Sequence, residues 1–226
     1  MKLLLSFIIG LSSISAGYSQ SGFNITYIMK YEHPSVFIFG NTAKPPLGYS
    51  RLVFNDTVCF WYGMRNNKDP MKSNKVYGSK VYNHCYLYDR YQGIYYTGVA
   101  NSHNIKEDCF VTDSLKGWQW LFSNNSKNIL DYQCYKAYKI NEYIKDSSGM
   151  KTWESDSTIV WYTEQLKMPF GPYEYLGLPG IVLEVYDQNR MGMHVLATKI
   201  GEDNFTIGIS SGIPVYTEGE FKKRNQ

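Results

Sequence analysis

Few residues of this 226-residue chain are spaced for chemistry. Its four histidines, His33, His84, His103 and His194, have no second histidine at i+2 or i+4, and no HExxH segment occurs. A helix-borne metal pair is therefore not expected. His84 stands beside Cys85, but neighbours on a strand point to opposite faces and cannot share an ion. A serine nucleophile needs a strained elbow such as GxSxG; the chain has none, and "SSGM" and "SSGI" read as turns. Glu154 and Asp156 in "WESDS" offer an acid/base pair on paper, but two residues apart in a polar stretch they read as a solvated edge. No catalytic, metal-binding or cofactor-binding residue is assigned. An enzyme is disfavoured, with a hydrolase built from carboxylates that meet only in space as the outside reading.

A candidate for binding is an aromatic stripe. Alternation in "KVYNHCYLYDR" (80–90) puts Val81, Cys85 and Leu87 on one strand face and Tyr82, His84, Tyr86 and Tyr88 on the other. With Trp161 these four form a candidate ligand-facing surface for lipid, sugar or peptide. The competing reading is ordinary core on a two-sided sheet, and it carries the greater weight.

The elements that must hold such a stripe are strands. The chain opens with Lys2, the apolar run Leu3 to Leu11 and then small polar residues, which is the pattern of a secretory signal peptide. Cleavage is expected after Ser19, with Gly17 at −3 and Gln20 at +1. The run is about half the roughly 20 residues needed to span a bilayer, so no transmembrane anchor is expected. Residues 20–226 then form one β-rich domain. The formal net charge of +3 suggests neither nucleic acid nor an anionic membrane as partner. Four cysteines in an exported chain argue for two disulfides, with three connectivities open. If forced, nearest neighbours pair: Cys59 with Cys85 and Cys109 with Cys134. The absence of any CxxC argues against structural zinc.

Tyrosine is abundant, with 21 copies beside 11 Phe and 5 Trp. Such content suits sheets whose second face is half wet. Period-two alternation dominates and no amphipathic helix of three turns is found. "RLVFNDTVCFWYGM" (51–64) reads as one or two strands around Asn55-Asp56, and "GIYYTGVA" (93–100) completes a hairpin with the stripe. "YQCYKAYKI" (132–140) and "STIVWYT" (157–163) are further strands. "GIVLEVYD", "MHVLATKI" and "FTIGIS" follow as a meander turning at "QNRMG" and "GEDN". Loops are expected at 65–75, 101–107 and 122–128. The predicted fold is mainly β: a strongly curved antiparallel sheet or open barrel with few short helices.

One stretch, "GPYEYLGLPGIVLEV" (171–185), is dense in backbone breakers. Leu178-Pro179-Gly180-Ile181 fits a type II turn with Pro at i+1 and a positive φ at Gly180. Pro172 pushes Gly171 toward an extended conformation. The segment is predicted as a rigid crossover from the Trp161 strand to the strand at Ile181, with Tyr173, Tyr175 and Leu176 plugging one end of the sheet. A phosphate-cradling loop is rejected because a β-branched run, not a helix, follows.

These motifs carry a resemblance. "CYKA" (134–137), "VWYT" (160–163), Gly171-Pro172 and "GLPGIV" (177–182) resemble the signature of the GLPGLI family of exported bacterial proteins. Val160 and the Ile-Val pair depart conservatively from the family's Ala and Leu-Ile, and the likeness extends over about residues 113–200. It implies export and a sheet-rich fold, and it brings no catalytic residue. In a bacterium the four Asn-x-Ser/Thr sequons read as chance. "DTV", "DSL" and "DST" resemble the O-glycosylation signal of bacteria carrying this family. The expected function is an exported, non-enzymatic periplasmic or secreted protein, needing no cofactor, that binds or carries an apolar ligand such as lipid or peptide. The alternative is a structural component of an envelope complex, with an envelope protein as partner.

Overall fold

A computed structural model describes residues 20–31, 36–38, 41–43, 48–64, 76–78, 85–100, 107–114, 119–147, 150–173, 175–190 and 192–225. The strands are β1 (Gln20–Tyr31), β2 (Val36–Ile38), β3 (Asn41–Ala43), β4 (Gly48–Phe54), β5 (Val58–Met64), β6 (Val76–Tyr77), β7 (Cys85–Asp89) and β8 (Ile94–Val99). They continue with β9 (Cys109–Ser114), β10 (Leu121–Ile129), β11 (Tyr132–Ser147), β12 (Met150–Thr163), β13 (Ile181–Asp187), β14 (Met193–Ile207) and β15 (Val215–Thr217). A 3-10 turn at Gln188–Arg190 and a short helix, α1 (Glu218–Arg224), complete the described elements. The mainly β expectation holds.

One sheet runs β10-β11-β12-β13-β14-β1-β4-β5-β7-β8-β9-β15, while β2 and β3 form a separate hairpin. It is antiparallel except where β15 joins β9 and β6 joins the end of β14. The ends of that order, β10 and β15, do not pair, so the sheet is not closed into a barrel.

Both faces of the sheet are packed, by different material. On the face called inner here, Ile25, Tyr27, Leu52, Cys59, Trp61, Tyr86, Val160 and Val185 meet the connection between β12 and β13. On the outer face, Val53, Phe60, Tyr62, Cys85, Leu87, Tyr96 and Phe110 form a second core with Tyr77 of β6 and Phe205 near the end of β14. Strand alternation produces this split: Tyr86 and Tyr88 turn one way, Cys85 and Leu87 the other, as their sequence pattern predicts.

Local turns follow side-chain rules. Asn55 Oδ1 accepts hydrogen bonds from the backbone N–H groups of Thr57 and Val58, both 2.9 Å, and so fixes the β4–β5 hairpin. Gly93 supplies a φ of +63° in the β7–β8 turn. Helix α1 begins with a capping box in which Thr217 and Glu220 satisfy each other's backbone.

Three expectations are corrected. "GEDN" is no turn: β14 runs through it, because residues 201–204 pair with 21–24 of β1. A bulge near Thr26 and Tyr27 keeps the two long strands in step. "FSNNSKN" belongs to strand β10: Phe122 and residues 126–128 pair with β11, while Ser123 to Asn125 stand out of the ladder, where Asn125 N–H donates to Ser123 Oγ at 3.2 Å. The predicted disulfides are absent, and all four cysteines are free and buried. Cys59 pairs with Tyr88 and Cys85 with Tyr62, which turns their thiols to opposite faces of the pleat. Cys109 and Cys134 lie on β9 and β11, near opposite ends of the strand order. Residues 65–75 and 101–106 lie outside the described residues.

Candidate functional site

The connection from Glu164 to Gly180 is a strap laid on the inner face. β12 and β13 are antiparallel neighbours, so this segment is an excursion between them and not the predicted crossover. Leu166, Met168, Phe170, Tyr173, Tyr175, Leu176 and Leu178 are all buried along it. Phe170 stacks on Tyr88 at 5.8 Å between ring centroids, and Tyr173 lies 4.3 Å from Trp61. The strap fills the sheet's main core and does not merely plug one end.

Its backbone is held by the same sheet. Ile181 N–H donates to Leu166 O at 3.1 Å and Val182 N–H to Phe170 O at 2.9 Å. Trp120 Nε1 donates to Leu176 O, and Tyr27 OH to Val182 O, each at 2.7 Å. Tyr175 OH donates to the buried Asp187 carboxylate at 2.5 Å. Burial pushes the Tyr27 and Tyr173 phenols well above the ordinary tyrosine range. Each of the seven buried apolar side chains is worth about 1.5–3 kcal/mol. Lifting the strap therefore costs on the order of 10 kcal/mol, comparable with the whole stability of a domain. The strap is core and not a lid.

The signature glycines act through contact more than through turn geometry. Gly180 is absent from the glycines with positive φ, so the type II turn is corrected; Gly177 holds that conformation, with φ +79°. A Cβ on Gly180 would stand 1.9 Å from the Thr163 carbonyl oxygen, and one on Gly171 would stand 2.6 Å from Val182 Cβ. Glycine is required at 171 and 180 because backbone passes against strand there. Tyr173 adopts φ +59°, braced by Trp61 and by Arg190, whose guanidinium carbon sits 4.9 Å from its ring. Pro172 and Leu178 are buried, whereas Gly177 and Pro179 are exposed.

The stripe residues separate. Tyr86 and Tyr88 are buried beneath the strap, and Tyr82 and His84 lie outside the described residues. Trp161 only borders their core. It pairs with Glu184 and Lys136, one position from core-facing Val160, and is half-buried on the outer face. There Lys127 Nζ sits 4.3 Å from the Trp161 ring centroid and bonds Glu184 Oε2. His194 Nε2 lies 2.8 Å from Glu184 Oε1.

Glu184 and His194 were not singled out by sequence reasoning, although hairpin alternation in "VLEVYD" and "MHVLA" puts them on one face. Of the other histidines, His33 and His103 lie outside the described residues. Glu154 and Asp156 lie on β12. Cys134, beside Lys127, is pushed up to about 11, mainly by burial, which keeps it a thiol at neutral pH. No group of three His, Cys, Asp or Glu that could hold a metal occurs among the described residues.

A protein family described as "Protein of unknown function (Porph_ging)" matches residues 144–184, the segment with VWYT and most of the strap. The chain carries the GLPGLI-type segment. The pieces of its signature are structural neighbours: Tyr135, Lys136 and Ala137 of CYKA pair with Tyr162, Trp161 and Val160, and Ile181 and Val182 pair with Thr163 and Tyr162. No curated protein matches the chain. The fold is similar to PNGF-II, solved in C2 and P21 space groups, at 16% identity in both, with TM-scores of 0.56 and 0.57. The match covers 90% and 91% of this chain but 32% and 33% of those chains, so the chain spans about a third of their length. No helix among the described residues is long and apolar enough to cross a membrane.

Proposed function

We propose that this protein is an exported, non-enzymatic binding module that acts through the outer face around Trp161 and encloses no ligand. The observation that carries the reading is the strap. Tyr86 and Tyr88, the aromatic surface best suited to an apolar ligand, are covered by Phe170 and Tyr173 of the same chain. An apolar guest would have to displace core side chains at a cost of several kcal/mol each. The outer face keeps half-buried aromatic and aliphatic groups within reach of a partner. Export is supported by the leader-like start of the sequence and by the GLPGLI-type segment.

The test is association of the purified chain, residues 20–226, with isolated cell envelopes that retain their proteins. Saturable binding, weakened at least fivefold by Trp161→Ser without loss of the thermal transition, is expected. Binding indifferent to Trp161, or a stoichiometric small molecule released only on unfolding, would overturn the reading.

A further inference from the structure

The outer face over β10 to β14 and β1 carries two adjoining cross-strand rows. In the first, Leu121 pairs with Tyr138, Tyr138 with Ile159, Ile159 with Tyr186, Tyr186 with His194, and His194 with Lys30. In the second, Lys136 pairs with Trp161, Trp161 with Glu184, Glu184 with Leu196, and Leu196 with Ile28. Directly paired residues share a face and stand about 5 Å apart, so the rows form one continuous surface. Its apolar members are partly exposed throughout, and Leu121 retains 52% exposure. The second outer-face core, under β6 and the end of β14, involves none of them, while Trp161 and Leu196 border the main core and keep part of their surface open.

The charges on this surface are one-sided. Lys30 and Lys136 lie within the rows. Lys127 reaches Glu184, and Lys199, opposite Thr26, is exposed beside them. Glu184 is the single carboxylate in the two rows, and it is already engaged by Lys127 and His194. Within the rows of a chain almost balanced overall, Lys30 and Lys136 stand against Glu184, and Lys127 and Lys199 add ammonium groups at the margin of the apolar centre. Net charge alone conceals this. Tryptophan and tyrosine with an apolar body and a polar edge, ringed by lysines, match the boundary between lipid headgroups and acyl chains.

We infer that this face rests on an anionic phospholipid surface, with Trp161, Tyr138 and Tyr186 at the headgroup level and Lys30, Lys136 and Lys199 over the phosphates. The inference rests on the binding reading above and names its partner. Its test uses protein-free vesicles and the chain of residues 20–226. Vesicles of phosphatidylglycerol with phosphatidylcholine should sediment the protein, pure phosphatidylcholine should not, and binding should fall as salt rises.

Each lysine near such a surface is worth about fivefold in partition, so neutralising Lys30, Lys136 and Lys199 together should weaken binding on the order of 100-fold. Trp161→Phe should remove most of any blue shift in tryptophan emission. Equal binding to both vesicle types, no binding to either, or indifference to the lysine changes overturns the inference. Envelope binding that persists without vesicle binding overturns it too, assigning the face to a protein and leaving the module reading intact.

Discussion

The inner and outer faces of this sheet are built from similar residues and put to opposite uses. The inner face gives Trp61, Tyr86 and Tyr88 to a strap from the same chain, which leaves them buried. The outer face under β14 and β6 is likewise covered, but around Trp161 it stays partly open. Residue type does not separate the two, since each has tryptophan and tyrosine on alternating strands. What separates them is whether a later segment returns to cover the strand.

The contrast can be broken most forcefully at Gly180. Gly180→Ala drives a Cβ into the Thr163 carbonyl, and a loss of about 4 kcal/mol or failure to fold is expected, read as the urea midpoint. A tolerated alanine there would show that the strap is not wedged against β12. Phe170→Ala, which empties the stack on Tyr88, should cost about 3–5 kcal/mol, whereas Trp161→Ala on the outer face should cost about 1 kcal/mol. Similar losses at the two sites would erase the distinction between a filled face and an open one.

Tyr175→Phe leaves the buried Asp187 without its hydroxyl donor, and about 1.5–3 kcal/mol should disappear from the thermal transition. Alkali sharpens the comparison further. Above about pH 10 an unfolded tyrosine loses its proton, whereas buried Tyr27 and Tyr173 keep theirs. The unfolded state then binds fewer protons, so stability is intact below that pH and declines as pH rises through it. Tyr173→Phe should flatten the decline by up to about 1.4 kcal/mol per pH unit. The smallest effect belongs to Lys127→Met: its partly exposed pair with Glu184 should change stability by less than about 1 kcal/mol.

Period-two alternation was legible wherever a strand stood by itself in the sequence. It placed Tyr86 and Tyr88 opposite Cys85 and Leu87 and found the Gly93 hairpin, while it left open whether 51–64 was one strand or the two that turn at Asn55. It could not say that both faces would be covered, because cover comes from residues 166–178 and from Phe205, distant in sequence. Gly180 shows the same limit. A Pro-Gly pair invites a turn rule based on local dihedrals, while the requirement is set by Thr163 on a neighbouring strand. Trp161 was grouped with Tyr86 and Tyr88 although it only borders their core, since alternation gives parity within one strand and not between strands whose pairing is unknown. The cysteine count carries no information about pleat, and so it suggested bridges that Cys59 and Cys85 cannot make.

The placing of β1 has a temporal consequence. This strand lies between β14 and β4, with Gln20 opposite Phe205, so among the described strands the earliest waits for one of the latest before its ladder closes. Until then one edge of β1 has no neighbour, and a bare strand edge is a template for aggregation. An arrangement dominated by such distant pairings assembles slowly. Closure of this ladder therefore has to wait until β14 has been delivered, and its most vulnerable interval falls between emergence of residue 31 and arrival of residue 193.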